Sequence, residues 1–390
     1  MAQGYQVNFQ GQIQQGMGGA GTAYLTDAST VFYNPAGLSF LKKNQVIVGM
    51  TPTFANTMFQ EDSTGAIGRT NSPMGTPFAV YANYKKEEES KLGFGLGVYT
   101  PFGSTVSYED GWIGRFALTR LQLMAIFFQP TVSYAITDKL SIGAGFVYSY
   151  GKVNLQKDLP LQFMDGTYGS AELEGTGSGF GYNAGVYFAP SKFLTLGATY
   201  RSRVNMNLNS GQATFTVPES LDEKFPDGKF ISSLPLPSVV TVSFASNPME
   251  NLNIVADVNY VSWSAYDTLA FDYENNTESL DDTKSARNYE NTIALRLGAE
   301  YAINKKLDVR AGMTYAISPV QDGYLTPETP DGNRLNYTVG VGYKLTEKFA
   351  LNSSFLFTRI QRHDTNLETN LSGTYTTIVL SPGLSLTYNY

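Results

Sequence analysis

The sequence predicts an all-β transmembrane protein: a 14-stranded antiparallel β-barrel of the outer-membrane type, with an N-terminal plug inside the lumen. Three observations lead there. Apolar residues alternate with small polar ones at period two along most of the chain, short and long connections alternate, and no apolar run is long enough for a membrane helix. The longest strictly apolar run is the hexamer Leu123–Phe128, against ~20 residues for a helical span.

Residues 1–44 come first and do not alternate. Up to residue 41 their only charge is Asp27, and they hold Gly4, Gly11, Gly16, Gly18, Gly19, Gly21 and Gly37. Such a stretch is too apolar for a free tail and too glycine-rich for a regular helix, so a compact plug over 1–44 is expected, followed by a barrel over 45–390. The opening Met1-Ala2-Gln3 lacks a hydrophobic leader and fits a mature start with an added Met.

The strands follow. In Leu140–Tyr150 one face carries Leu140, Ile142, Ala144, Phe146, Tyr148 and Tyr150, and the other Ser141, Gly143, Gly145, Val147 and Ser149. The pattern returns at Ile254–Tyr260, Tyr337–Tyr343 and Ile378–Tyr390. Lipid on one face, a polar lumen on the other and aromatics at the strand ends account for it. Short turns fall at 85–90, 137–139, 189–192, 247–251, 304–306 and 346–348, with long polar segments at 56–75, 101–120, 154–178, 206–236, 264–290, 318–333 and 361–373. Six turns plus seven loops give thirteen connections, hence 14 strands.

Composition narrows the function. With no Cys, thiolate zinc sites and cysteine nucleophiles are excluded; the single His, His363, argues against a His-rich metal site or haem pocket, and neither metal nor cofactor is expected. Net charge is −7 with no basic run, which argues against nucleic acid. Gly16-x-Gly18-x-x-Gly21 has the spacing of a dinucleotide fingerprint but follows no buried strand and has no acid ~20 residues on. Glu172/Glu174 and Asp281/Asp282 read as solvated loop acids, with a calcium site left open, and His363 as a surface histidine in a loop. An enzyme barrel would need a Ser/His pair near one rim, and this one histidine gives it no context.

The third strand stands out. In Leu92-Gly-Phe-Gly-Leu-Gly-Val-Tyr99 the inward face is Gly93, Gly95 and Gly97, and Pro101, Phe102 and Gly103 follow. Such glycines mark a bend or the close approach of another backbone. Two readings stay open: a gap in the wall, or room for the plug. For a cargo with one carboxylate, an apolar slot and one or two cations suffice. Alternation points Arg296 and Arg310 to the lumen, and Arg115 lies in Trp112-Ile-Gly-Arg-Phe116 at the outer approach; each also fits an ordinary ion pair.

Several motifs resemble one family. Gly4-Tyr-Gln-Val-Asn8, Gly18-Gly-Ala-Gly-Thr-Ala23, Asp27-Ala-Ser-Thr30 and Asn34-Pro-Ala36-Gly-Leu38 are similar to the start and hatch of the FadL/TodX outer-membrane transporters of hydrophobic compounds. Pro101-Phe-Gly103, Trp112–Phe116 and Leu236-Pro-Ser238 resemble later segments of the same family. The resemblance implies a barrel plugged by a hatch carrying the motif Asn34, Pro35, Ala36. It implies passive, non-enzymatic uptake of long-chain fatty acids or other apolar molecules, with lateral exit at the kinked third strand (Gly93, Gly95, Gly97, Pro101, Phe102, Gly103). Tyr5, Arg115, Arg296 and Arg310 are then the ligand-binding candidates. The setting would be the outer membrane of a Gram-negative bacterium, as a monomer among membrane lipid and lipopolysaccharide, with detergent expected in a structure. The ligand stays open, as does an alternative in which such a plugged barrel serves a structural or secretion-partner role.

Overall fold

The computed structural model describes residues 4–7 and 10–390, so Asn8 of the Gly4–Asn8 motif and the Met1–Gln3 start lie outside the described residues. Two short helices, α1 (Gln12–Gly16) and α2 (Thr30–Tyr33), and a 3-10 turn at Pro35–Phe40 precede the strands. The wall then begins with β1 (Gln45–Met50, continued by Phe54–Glu61), β2 (Ile67–Arg69, continued by Phe78–Tyr84) and β3 (Leu92–Ser107). Next come β4 (Arg120–Ala135), β5 (Leu140–Gln162), β6 (Tyr168–Ser191) and β7 (Leu194–Arg201, continued by Val204–Thr216). They are followed by β8 (Gly228–Leu236 and Val239–Met249), β9 (Leu252–Val261 and Thr268–Tyr273) and β10 (Thr283–Ala286 and Thr292–Ala302). The wall ends with β11 (Leu307–Ala316), β12 (Arg334–Lys344), β13 (Phe349–Thr365) and β14 (Ser372–Asn389).

Each strand pairs antiparallel with the next, and β14 returns to β1 through Gln45↔Asn389, Met50↔Leu384 and Phe54↔Leu380, closing a 14-stranded barrel without an edge. Alternation sets which side chains face out. Val132, Ile142, Phe146, Val258, Leu295, Leu297, Val339 and Val341 are exposed on the outer surface, while Ser133, Ser141, Asp257, Arg296 and Thr338 on the same strands are buried inside. A continuous exposed apolar belt is unstable in water and suits lipid.

The short turns lie where the sequence places them, within three residues. The long loops are shorter than expected, except the one expected at 318–333, which spans 317–333. β5 and β6 stay paired as far as Gln162↔Tyr168, leaving only 163–167 as the loop, and β7 and β8 leave only 217–227. Above the lipid belt the outward face turns polar while the inward face carries Leu173, Leu208, Ala213 and Phe230, so the lipid-facing pattern that marks a strand is lost while the ladder continues. Glu172 and Glu174 therefore sit on β6 and His363 on β13, not in loops, whereas Asp281 and Asp282 are in a loop.

The segment from Gln10 to Leu41 is almost wholly buried against inward wall residues. A side chain on Gly298 or Gly312 would collide with the Met17–Gly18 backbone, and one on Gly143 with Pro35. Gly18 and Gly19 themselves have φ of +70° and +77°, which glycine adopts freely as the chain turns back beside β10 and β11.

Candidate functional site

The wall is continuous until β3 reaches Tyr99. There β3–β2 pairing ends at Ala79↔Tyr99, and the β3–β4 register slips by one residue between Tyr99 and Phe102. Pro101 has no N–H to offer a neighbour, which fits a bulge at this point. Residues 72–77, between the two parts of β2, leave the ladder; contact with the end of β3 is made by Asn71, whose N–H donates to the Ser107 carbonyl at 2.7 Å, and by Thr70, which pairs with Tyr108.

The segment Gly4–Val7 takes the place of β2. The Val7 N–H donates to the Pro101 carbonyl (2.8 Å), the Gly103 N–H donates to the Tyr5 carbonyl (2.9 Å), and Gln6 pairs with Phe102. Gln10 Nε2 donates to the Thr100 carbonyl at 2.9 Å. Tyr5 is wedged among Phe102, Trp263 and Tyr266, with ring centroids at 6.1, 4.9 and 5.5 Å, and its hydroxyl donates to the Pro235 carbonyl at 2.8 Å. The Gly4 N–H donates to Asp331 Oδ2 at 2.9 Å.

Cavities lie on both sides of this segment. Outward, a space of about 50 Å³ is bordered by Tyr5, Leu121, Met206, Leu208, Leu234 and Phe271. Toward the wall, a window of about 150 Å³ is bordered by Val7, Pro73, Pro77, Phe102, Leu123 and Met124, and Met124 is itself exposed on the lipid face. Both are mainly apolar. The cation nearest the outer cavity is neutralised: Arg287 Nη2 lies 2.5 Å from Glu328 Oε1, and both are buried.

Gly93, Gly95 and Gly97 lie one step before the break. Gly95 and Gly97 are paired on both edges and Gly93 with β4 alone; Gly93 faces Leu38, Gly95 faces Leu38 and Val31, and Gly97 faces Tyr81 and Val31. Asn34, Pro35 and Ala36 dock on the adjoining wall. Asn34 Nδ2 donates to the carbonyls of Thr22 (3.0 Å) and Val186 (3.1 Å), its Oδ1 accepts the Ala36 N–H (3.1 Å), and the Ala36 carbonyl accepts the hydroxyls of Ser133 (2.6 Å) and Ser141 (2.7 Å). Extended backbone at Asn34 (φ −156°, ψ 102°) is what the following proline favours.

The pattern that defines outer membrane protein transport proteins (OMPP1/FadL/TodX) matches residues 1–390. The chain belongs to this family. It is 25% identical over 414 residues to a putative outer membrane protein of Neisseria meningitidis serogroup B, covering 94% of this chain and 88% of that one. It is 22% identical over 359 residues to a long-chain fatty acid transport protein of Escherichia coli O6:H1, covering 83% and 79%. In fold it is similar to a Pseudomonas aeruginosa FadL homologue, with a TM-score of 0.85, 18% identity and 99% of each chain covered. This FadL/TodX-family barrel is thus an outer-membrane transport protein, not an enzyme.

Within the FadL/TodX-family chain the four ligand candidates are not brought together. Tyr5 and Arg296 border cavities around the Gly4–Val7 segment. Arg115 sits at the outer rim, its Nε 3.7 Å from Asp158 and its guanidinium over Phe116 (4.6 Å) and Tyr168 (4.9 Å). Burial raises the Asp158 carboxyl, which Arg115 opposes. Arg310 lies by the short-turn end, with Nε 2.6 Å from Glu300 Oε2 and Nη1 donating to Asn352 Oδ1 at 3.0 Å, so its charge is already paired. Arg201 went unread, because a lone arginine at a strand end carries no motif; only its inward parity marked it.

Proposed function

We propose that this family member carries long-chain fatty acids or other hydrophobic molecules passively across the outer membrane. Cargo is captured outside, passes a hatch formed by residues 1–44 and leaves sideways into the membrane at the β3 kink. The observation that carries this reading is the Gly4–Val7 segment, which lies between the outer cavity and the window and holds the Pro101–Gly103 edge that β2 has left. Its withdrawal would join the two cavities. Burying an alkyl chain supplies about 0.8 kcal/mol per methylene, enough to draw cargo from water without an energy source. The protein would act as a monomer in lipid and lipopolysaccharide, and Arg115 would guard the outer approach.

The test locks the segment. An added Cβ at Gly103 would lie 3.9 Å from a Val7 methyl, so the pair Val7→Cys and Gly103→Cys is close enough for a disulfide in a chain that has no other cysteine. Oxidised cells of a transporter-null strain carrying it should lose uptake of labelled oleate and regain it with a reductant. Full uptake in the oxidised protein, with the disulfide verified by mass, would overturn passage at this segment.

A further inference from the structure

One outer loop is unlike the rest. Residues 317–333, between β11 and β12, form no strand, yet every residue from Leu325 to Gly332 is buried. The loop folds into the mouth of the barrel. Its first half is fastened to the rim of β13: Asp364 accepts the N–H groups of Gly323 (2.8 Å) and Leu325 (2.9 Å), and Arg362 Nη1 donates to the Val320 carbonyl (2.7 Å). Gly323 has φ of +88°, where glycine turns freely, and the chain then dips inward. Pro327 and Pro330 keep the dipping half out of any ladder, and among the described residues no backbone–backbone bond ties 324–332 to a wall strand.

Side chains hold that half instead. The Tyr108 hydroxyl donates to the Pro327 carbonyl (3.1 Å), the Tyr289 hydroxyl lies 2.8 Å from Thr329 Oγ1, and Arg287 pairs with Glu328. Asp331, 3% exposed, takes four donors. Its Oδ1 accepts the Gly332 N–H (2.9 Å) and Arg334 Nη1, and its Oδ2 accepts the Ser318 hydroxyl (3.2 Å) and the Gly4 N–H (2.9 Å). Three of these partners belong to the loop or to β12, which follows it. The fourth begins the segment that repairs β3.

The same two pieces close the outer cavity. Apart from Tyr266, between the two parts of β9, every residue bordering it lies on a wall strand except Tyr5, Glu328 and Thr329. Strands held in a closed ladder do not part, so the loop and the segment are what can move. They also meet through rings: Tyr289, bonded to Thr329, packs on Trp263 and Tyr266 (centroids 5.7 and 5.1 Å), and both of these pack on Tyr5.

Resting on the transport reading above, we propose that residues 317–333 are a hinged lid over the outer cavity, and that Asp331 is the positioning residue that couples its opening to the release of Gly4–Val7. Lifting the lid carries Asp331 away from Gly4 and leaves a buried N–H without its acceptor, so the segment loosens its hold on β3. The Arg334 ion pair on β12 sets the closed position, in which both closures are shut.

Amide hydrogen exchange of Gly4–Val7 in detergent reads the coupling, with the β11 ladder as the control for folding. Asp364→Asn frees the rim fastening and touches nothing in Gly4–Val7, whereas Asp331→Ala removes the coupling carboxylate. The pair Gly332→Cys and Arg362→Cys pins the lid to β13, since a Cβ on Gly332 would lie 3.4 Å from Arg362 Cβ in a chain with no other cysteine. Exchange should rise about fivefold in Asp364→Asn and in Asp331→Ala, rise no further in the double variant, and fall about fivefold in the oxidised pinned protein, returning with reductant. Unchanged exchange in either Asp364→Asn or the pinned protein, or effects that multiply in the double variant, would overturn the coupling. Uptake of labelled oleate is scored separately: a pinned lid that slows exchange yet leaves uptake intact refutes the transport reading and leaves the coupling standing.

Discussion

Asn34 joins three pieces of backbone through one amide. Its two N–H groups hold Thr22 of the same segment and Val186 of the wall, and its oxygen caps the turn that starts at Pro35. Alanine would leave the buried Thr22 carbonyl and Ala36 N–H without this partner, at about 1–3 kcal/mol for each group left buried, and would untie the turn from Val186 of the wall. Aspartate is the sharper variant, because it keeps the acceptor, loses both donors and places a charge where exposure is 0%. Asn34→Asp is therefore expected to loosen residues 20–40 more than Asn34→Ala, read as faster protease cleavage there while the barrel still shows heat-modifiable migration. Equal protection of Asn34→Asp and wild type would remove the anchoring role. The sequence showed that the Asn-Pro corner is rigid; which carbonyls it meets depends on β6, 150 residues on, and no local pattern reveals that.

At the scale of single strands, inward glycines record where another chain comes close. A methyl group on Gly93 would lie 2.8 Å from the Leu38 carbonyl, which is backbone inside a hydrogen-bonded turn and cannot give way. On Gly97 it would lie 3.1 Å from the Tyr81 ring and a Val31 methyl, both able to shift. Gly93→Ala should therefore displace the Pro35–Phe40 turn and lower thermal stability more than Gly97→Ala. Differential scanning calorimetry of the two proteins in one detergent checks this, and a reversed order would mean that the turn is not what these glycines accommodate. The glycines and Pro101 were legible as a disturbance in β3. That the disturbance is repaired by Gly4–Val7 was not, because a four-residue strand paired over roughly 100 positions leaves no periodicity of its own. Likewise Thr70–Pro77, with Pro73, Gly75 and Pro77, reads as a loop in sequence yet forms part of the wall beside the window.

For the whole molecule, strand number and the assignment of faces were legible through lipid-facing alternation, and became illegible where that alternation ends. The outer seam, where first and last strands meet, belongs to this unread zone. Asp62, just beyond β1, accepts the Ser372 hydroxyl of β14 at 2.6 Å and lies 2.9 Å from His363 Nε2 of β13. Hydrogen bonds from Ser372 first and His363 second lower the Asp62 carboxyl below its ordinary value, against a smaller opposing push from partial desolvation and then Glu61. A folded-state value below the unfolded one means that the bonds stabilise the seam fully above the ordinary carboxylate range. The contribution is lost as pH falls through the depressed value. Because the group is exposed, the effect is local. Asp62→Asn should accordingly raise protease cleavage in the 62–66 turn at pH 7, and the difference from wild type should shrink as both are acidified. A difference that stays constant down to pH 2 would show that Asp62 holds the seam by shape and not by its charge.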